Sequence, residues 1–136
     1  MEFIYDDGGR SKYFKASKVG DCVTRAIAIA TETDYKQVYD ELNKLSKESG
    51  SKGTSRGGHS TKIVRKYMEK IGWKWKPLMG IGTGCKVHLE KDELPKGIII
   101  CKLSKHIVCV KDGIIYDTYD CSRDGMRCVY GYWIKE

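Results

Sequence analysis

The sequence predicts an α+β fold in which amino-terminal helices pack on a carboxy-terminal antiparallel sheet. Three amphipathic helical patterns fill roughly residues 20–72, and four β-rich runs follow residue 96. Two of those runs flank Asp112-Gly113, the dipeptide preferred in a two-residue type I′ hairpin. A length of 136 residues suits one domain, with a helical part at about 20–72 and a β part at about 73–136.

Residues 1–19 carry no periodic apolar signal, and DDGGR reads as a turn cluster. In GDCVTRAIAIAT, Val23, Ala26, Ile27 and Ala30 repeat at the spacing of a buried helical stripe, which predicts a helix at about 21–32 capped by Gly20 or Asp21. A second helix is expected over 34–47, with Asp34 and Gln37 as a capping box and Tyr35, Val38, Tyr39, Leu42 and Leu45 as its apolar face. ESGSKGTSRGGH, residues 48–59, reads as a mobile Gly/Ser-rich loop. Ser60 then caps a third helix over 60–71, and Gly72 ends it. WKWKPL alternates as a strand does, and LMGIGTGCKVHLEKDELPKG reads as a long connection. GIIICKL, HIVCVKD, GIIYDTY and RCVYGYWI are the four β-rich runs.

Charged residues at 32% and hydrophobic residues at 40% are ordinary globular usage. No apolar run approaches the roughly 20 residues that span a bilayer. MEFIYDDGGR lacks the basic and apolar regions of a secretory signal, so the expected location is the cytoplasm, or the host cytoplasm for a phage-encoded chain. Membranes are not expected partners. Among reductants, six cysteines are expected as free thiols; Cys101 and Cys109, inside apolar runs, suit buried positions. If one pair did oxidise, the short loop between Cys121 and Cys128 makes that pair the best candidate.

The net charge of +7 is concentrated: residues 44–76 carry +8 and the rest of the chain −1. Lys62, Arg65 and Lys66 mark a basic face on the third helix, suited to an acidic partner or, more weakly, to nucleic acid. The alternative is a solvated helix face with no partner.

Cys22 falls in the first turn of the first helix. Unpaired backbone N–H groups and the helix dipole favour a thiolate there, and the thiolate is the nucleophile. Such a nucleophile needs a base. With Asp112-Gly113 as the turn, Lys111 pairs with Ile114, Val110 with Ile115, Cys109 with Tyr116 and Val108 with Asp117, and His106 faces Tyr119. His106 and Asp117 then share one face of the sheet, where the carboxylate can orient the imidazole. Asp117 also interrupts an apolar strand, so a partner for its charge is expected.

Cysteine at a helix start, followed by histidine and acid on successive strands, resembles the layout of papain-like cysteine peptidases. That resemblance covers most of the chain as an order of elements. It implies Cys22 as nucleophile, His106 as general base and acid, and Asp117 as the orienting group, acting on a peptide or protein substrate. Papain-like peptidases usually place a glutamine shortly before the cysteine to complete the oxyanion hole. Here KYFKASKVGD precedes it, and the only glutamine is Gln37 on the second helix. Ser17, Lys18 or a backbone N–H is left as the second donor. GDCVTRAIAIAT, GCKVHLEKDELPKG and SKHIVCVKDGIIYDTYDCSRDGMRCVYGYW also resemble a group of short uncharacterised bacteriophage and bacterial proteins, which implies an origin but no activity.

Other sites compete. Cys85-x-x-His88 and His106-x-x-Cys109 are zinc half-sites without a CxxC, and strand alternation turns His106 and Cys109 to opposite faces, so no metal or cofactor is expected. His59 is expected in solvent. Trp73, Trp75 and Trp133 read as packing groups, or as stacking platforms for bases. The expected function is a peptidase- or amidase-type cysteine hydrolase. The alternative is a non-catalytic protein on the same scaffold that binds or inhibits a host factor.

Overall fold

The helical patterns become three helices in a computed structural model that describes residues 1–15, 19–80 and 82–135. Helix α1 spans Cys22–Thr31, α2 Tyr35–Glu48 and α3 Thr61–Lys70. Asp34 starts α2 by accepting from the Gln37 N–H at 3.3 Å, and Ser60 starts α3 by accepting from the Ile63 N–H at 3.4 Å. Val38 and Leu42 of α2, and Ile63, Val64, Tyr67 and Met68 of α3, are buried. Eight of the ten residues of α1 are buried, as expected for a helix enclosed on all sides. Among the described residues, no helix is long and apolar enough to cross a membrane.

Six strands form one sheet: β1 (Phe3–Tyr5), β2 (Trp73–Pro77), β3 (Ile98–Leu103), β4 (His106–Lys111), β5 (Ile114–Asp117) and β6 (Gly131–Lys135), in the spatial order β1-β5-β4-β3-β6-β2. The α+β class holds, but the sheet is mixed rather than purely antiparallel. Strand β1 runs parallel to β5, with Phe3 beside Ile115 and Tyr5 beside Asp117. Three residues are too few to show a period, so this strand was read as irregular; its partner lies at the other end of the chain.

Asp112 and Gly113 adopt positive φ of 49° and 78°, the two-residue turn expected, and the Lys111–Ile114, Val110–Ile115 and Cys109–Tyr116 pairs form in register. The ladder stops there. The expected pairs Val108–Asp117 and His106–Tyr119 are not part of it, so β4 and β5 part beside His106.

One face of the sheet, through Ile100, Ile107, Cys109 and Trp133, packs on the helices. The other, through Ile99, Cys101, Val108, Val110 and Ile115, is covered by Leu89, Leu94, Cys121 and Val129. Burial on both faces explains why the β3 and β4 runs are continuously apolar. Trp73 and Trp133 are core groups, and Trp75 packs against Trp133 with ring centroids 4.6 Å apart and ring planes inclined at 50°. A Cβ at Gly131 would sit 2.4 Å from the Trp75 ring, so only glycine lets this indole lie on β6.

Two expectations are corrected. Residues 48–59 are tied down rather than free. Ser55 is buried; its backbone N–H donates to Asn43 Oδ1 at 2.8 Å and its hydroxyl donates to the Tyr39 carbonyl at 2.7 Å. It also bonds His59 at 3.0 Å, so that imidazole is half-buried instead of solvated. The cysteines are not all free, because Cys85 and Cys128 form a disulfide. Cys121, the expected partner of Cys128, is turned into the interior. An isolated bridge between His88 and Cys128 instead sets Cys128 beside the 85–88 segment.

Ile27, fully buried between the helices and the sheet, tests the core. Ile27→Ala is expected to cost about 2–5 kcal/mol of stability, read as a lower urea midpoint with an unchanged slope.

Candidate active site

Cys22 is the first residue of α1, and Asp21 occupies the capping position, yet the Asp21 carboxylate makes no capping bond. It is fully buried and turned beneath the helix. There it bonds Arg25 one turn on, accepts from Tyr35 Oη at 2.7 Å and lies 3.9 Å from Arg10 Nε. Arg25 Nη2 reaches on to Asp117 Oδ1 at 3.2 Å. The other Asp117 oxygen, Oδ2, lies 2.6 Å from His106 Nε2. A carboxylate only accepts, so Nε2 carries a proton and Nδ1 is the nitrogen left for sulfur.

Two thiols lie close enough to that imidazole to perturb it, Cys22 and Cys121, the latter with its sulfur within 4.8 Å of the imidazole. Their environments drive them apart. Burial raises the Cys22 pKa, but the bond to His106, the imidazolium charge, the Ile107 N–H and the nearby Arg25 cation together outweigh it, and the net shift is downward. Cys121 is 1% exposed, and there burial prevails over His106, so its pKa rises and it stays a thiol. Burial lowers the His106 pKa, but bonds to Asp117, Cys121 and Cys22 reverse this and push it well up. For Asp117, burial is outweighed by His106, the Thr118 N–H and Arg25, and its pKa falls. These shifts all act in the direction of a Cys22 thiolate beside a His106 imidazolium. The Tyr119 ring lies 5.4 Å from the imidazole, and Cys22 itself is partly exposed.

All three expected site residues, Cys22, His106 and Asp117, are thus brought together. Ser17 and Lys18, named as second oxyanion donors, lie outside the described residues. Lys62, Arg65 and Lys66 stand apart on the exposed face of α3, where Arg65 covers the Trp75 ring at 5.2 Å and Lys66 bonds Ser49. Cys109 packs among the helices, so it does not join His106 in one site. Sequence reasoning missed Asp21, Arg25, Tyr35, Arg10 and Cys121. The i, i+4 spacing of Asp21 and Arg25 was a legible signal. Nothing local marked Cys121.

His106, Asp117 and Cys121 place ligand atoms within 4.8 Å of one another, and Cys85, His88 and Cys128 form a second such group. In the first, the Arg25 guanidinium on Asp117 opposes a dication. A pocket of about 170 Å³ walled by Phe14, Val19, Tyr35 and Tyr39, with Arg10 and Arg56, adjoins the segment leading into Cys22. No protein-family model matches the chain, and neither curated proteins nor solved structures gave a match.

Arg25→Met leaves two buried carboxylates without their shared cation and is expected to destabilise the fold by about 3–5 kcal/mol in urea unfolding. The lowered Cys22 pKa sets the pH dependence of alkylation. Its rate with iodoacetamide should rise with pH at a midpoint below that of an ordinary thiol. A rate that instead climbs through the ordinary thiol range, about 8.5, would contradict that lowered value.

Proposed function

We propose that this chain is a cysteine hydrolase of the peptidase or amidase type on a papain-like arrangement, with a peptide or protein as its substrate. The observation that supports this reading is the His106–Asp117 bond at 2.6 Å with Cys22 near enough for the imidazole to bias its thiol toward ionisation.

In this reading the Cys22 thiolate attacks the substrate carbonyl carbon. Negative charge moves to the carbonyl oxygen, toward the Cys22 backbone N–H, one of the unpaired donors of the α1 amino terminus. As the C–N bond breaks, His106 passes its Nδ1 proton to the departing amine, and the acyl group remains on sulfur as a thioester. Neutral His106 then takes a proton from water. The resulting hydroxide adds to the thioester, and collapse releases the carboxylic acid and the thiolate. Asp117 holds the imidazole in the required tautomer throughout, and Arg25 holds Asp117.

Limiting iodoacetamide followed by peptide mass spectrometry is expected to label Cys22 ahead of Cys101, Cys109 and Cys121, and p-nitrophenyl acetate should leave an acetyl group on Cys22. His106→Gln should slow acylation about 10²–10⁴-fold. Labelling elsewhere with Cys22 silent, and no acetyl adduct, would remove the hydrolase reading. It would leave the basic α3 face as the acting surface of a binding protein.

A further inference from the structure

The half-site Cys85-x-x-His88 gains a third ligand that the sequence does not place beside it. Residues 87–89 and 127–129 pair as antiparallel backbone, with Leu89 N–H on the Arg127 carbonyl at 2.7 Å and Val129 N–H on the Val87 carbonyl at 2.8 Å. Between these bonds His88 stands opposite Cys128. Gly84, at φ +71°, turns the chain just ahead of Cys85. Backbone pairing therefore holds His88 against Cys128 independently of the S–S bond.

We propose that, once reduced, Cys85, His88 and Cys128 bind one zinc ion, so that this cluster is a disulfide under oxidising conditions and a zinc site under reducing ones. The three ligand atoms lie within 4.8 Å of one another. Tetrahedral zinc with ligands at about 2.0–2.3 Å spaces them by roughly 3.3–3.8 Å, within reach of small side-chain rotations. Two thiolates neutralise the dication.

A second observation points to metal. His88 Nδ1 lies 3.2 Å from Glu93 Oε1, and the same oxygen accepts the His88 backbone N–H at 3.1 Å. With Nδ1–H given to a carboxylate, Nε2 carries the lone pair, which is the usual carboxylate–histidine–zinc order. Cys85 is exposed and His88 and Cys128 are partly exposed, so the fourth position is open to water. The chemistry balances with a cellular thiol as reductant. Two thiol molecules give two electrons and two protons to the Cys85–Cys128 bond and leave as their own disulfide; zinc then displaces the two cysteine protons.

In either state the 85–89 segment is stapled to the 127–129 segment. Reduction in a cell therefore need not loosen the loop that presents Cys121 to His106.

The test uses the full chain, reduced with a phosphine without oxygen, given equimolar zinc chloride and desalted. Elemental mass spectrometry should find one zinc per reduced chain and none per oxidised chain. Cobalt(II) should give a thiolate-to-cobalt charge-transfer band. Glu93→Gln should weaken zinc about 10–100-fold. His88→Gln, which keeps both cysteines and so can still fold as the disulfide, should lose stoichiometric zinc on reduction, while Cys121→Ala should retain it. Zinc-free reduced protein would overturn the proposal. So would a full zinc complement in the Cys85→Ser/Cys128→Ser chain, which would move the metal to His106, Asp117 and Cys121.

Discussion

One guanidinium holds this molecule's chemistry in place. Arg25 lies between two buried carboxylates, Asp21 beneath the helix start and Asp117 at the end of β5, and it joins the helix layer to the sheet. Each carboxylate would be costly to bury alone, and arginine suits the task because its planar fork can bond two acceptors at once. From Arg10 through Asp21, Arg25, Asp117 and His106 to Cys22, the charges alternate in sign without a break. The position of the imidazole is thus set by buried electrostatic contacts.

That alternation also decides between two chemically identical groups. Cys22 and Cys121 both lie close to His106, but only Cys22 stands at a helix amino terminus, near Arg25 and against the Ile107 N–H. Cys121 has the Asp117 charge nearby and full burial, both of which keep its proton on. Environment, rather than residue type, assigns the roles.

Much of this was legible in sequence because it was local. Cap residues and apolar spacing located the three helices to within a residue or so, and Asp112-Gly113 set the register of the first three hairpin pairs, beyond which His106 and Asp117 meet by a side-chain bond. What could not be read were contacts made at long range. Strand β1 has no period of its own and exists because β5 offers an edge. Cys128 found Cys85 through a backbone bridge no motif announces. The 48–59 loop has the composition of a linker, yet Ser55 is pinned by α2. Arg25 read as one more position on a helix whose buried stripe drew attention to its alanines and isoleucines.

The pairing of β1 with β5 bears on how the chain matures. Tyr5 lies beside Asp117, and the Asp6 N–H bonds the Asp117 carbonyl at 2.9 Å, so the backbone that carries this carboxylate is clasped by a strand far earlier in the sequence. Cys22 likewise precedes His106 and Asp117 by most of the domain, and contacts so distant in sequence form slowly. Until they form, the Cys22 thiol has no imidazole beside it to lower its pKa. The chain of alternating charges therefore closes late in folding, with the meeting of β1 and β5.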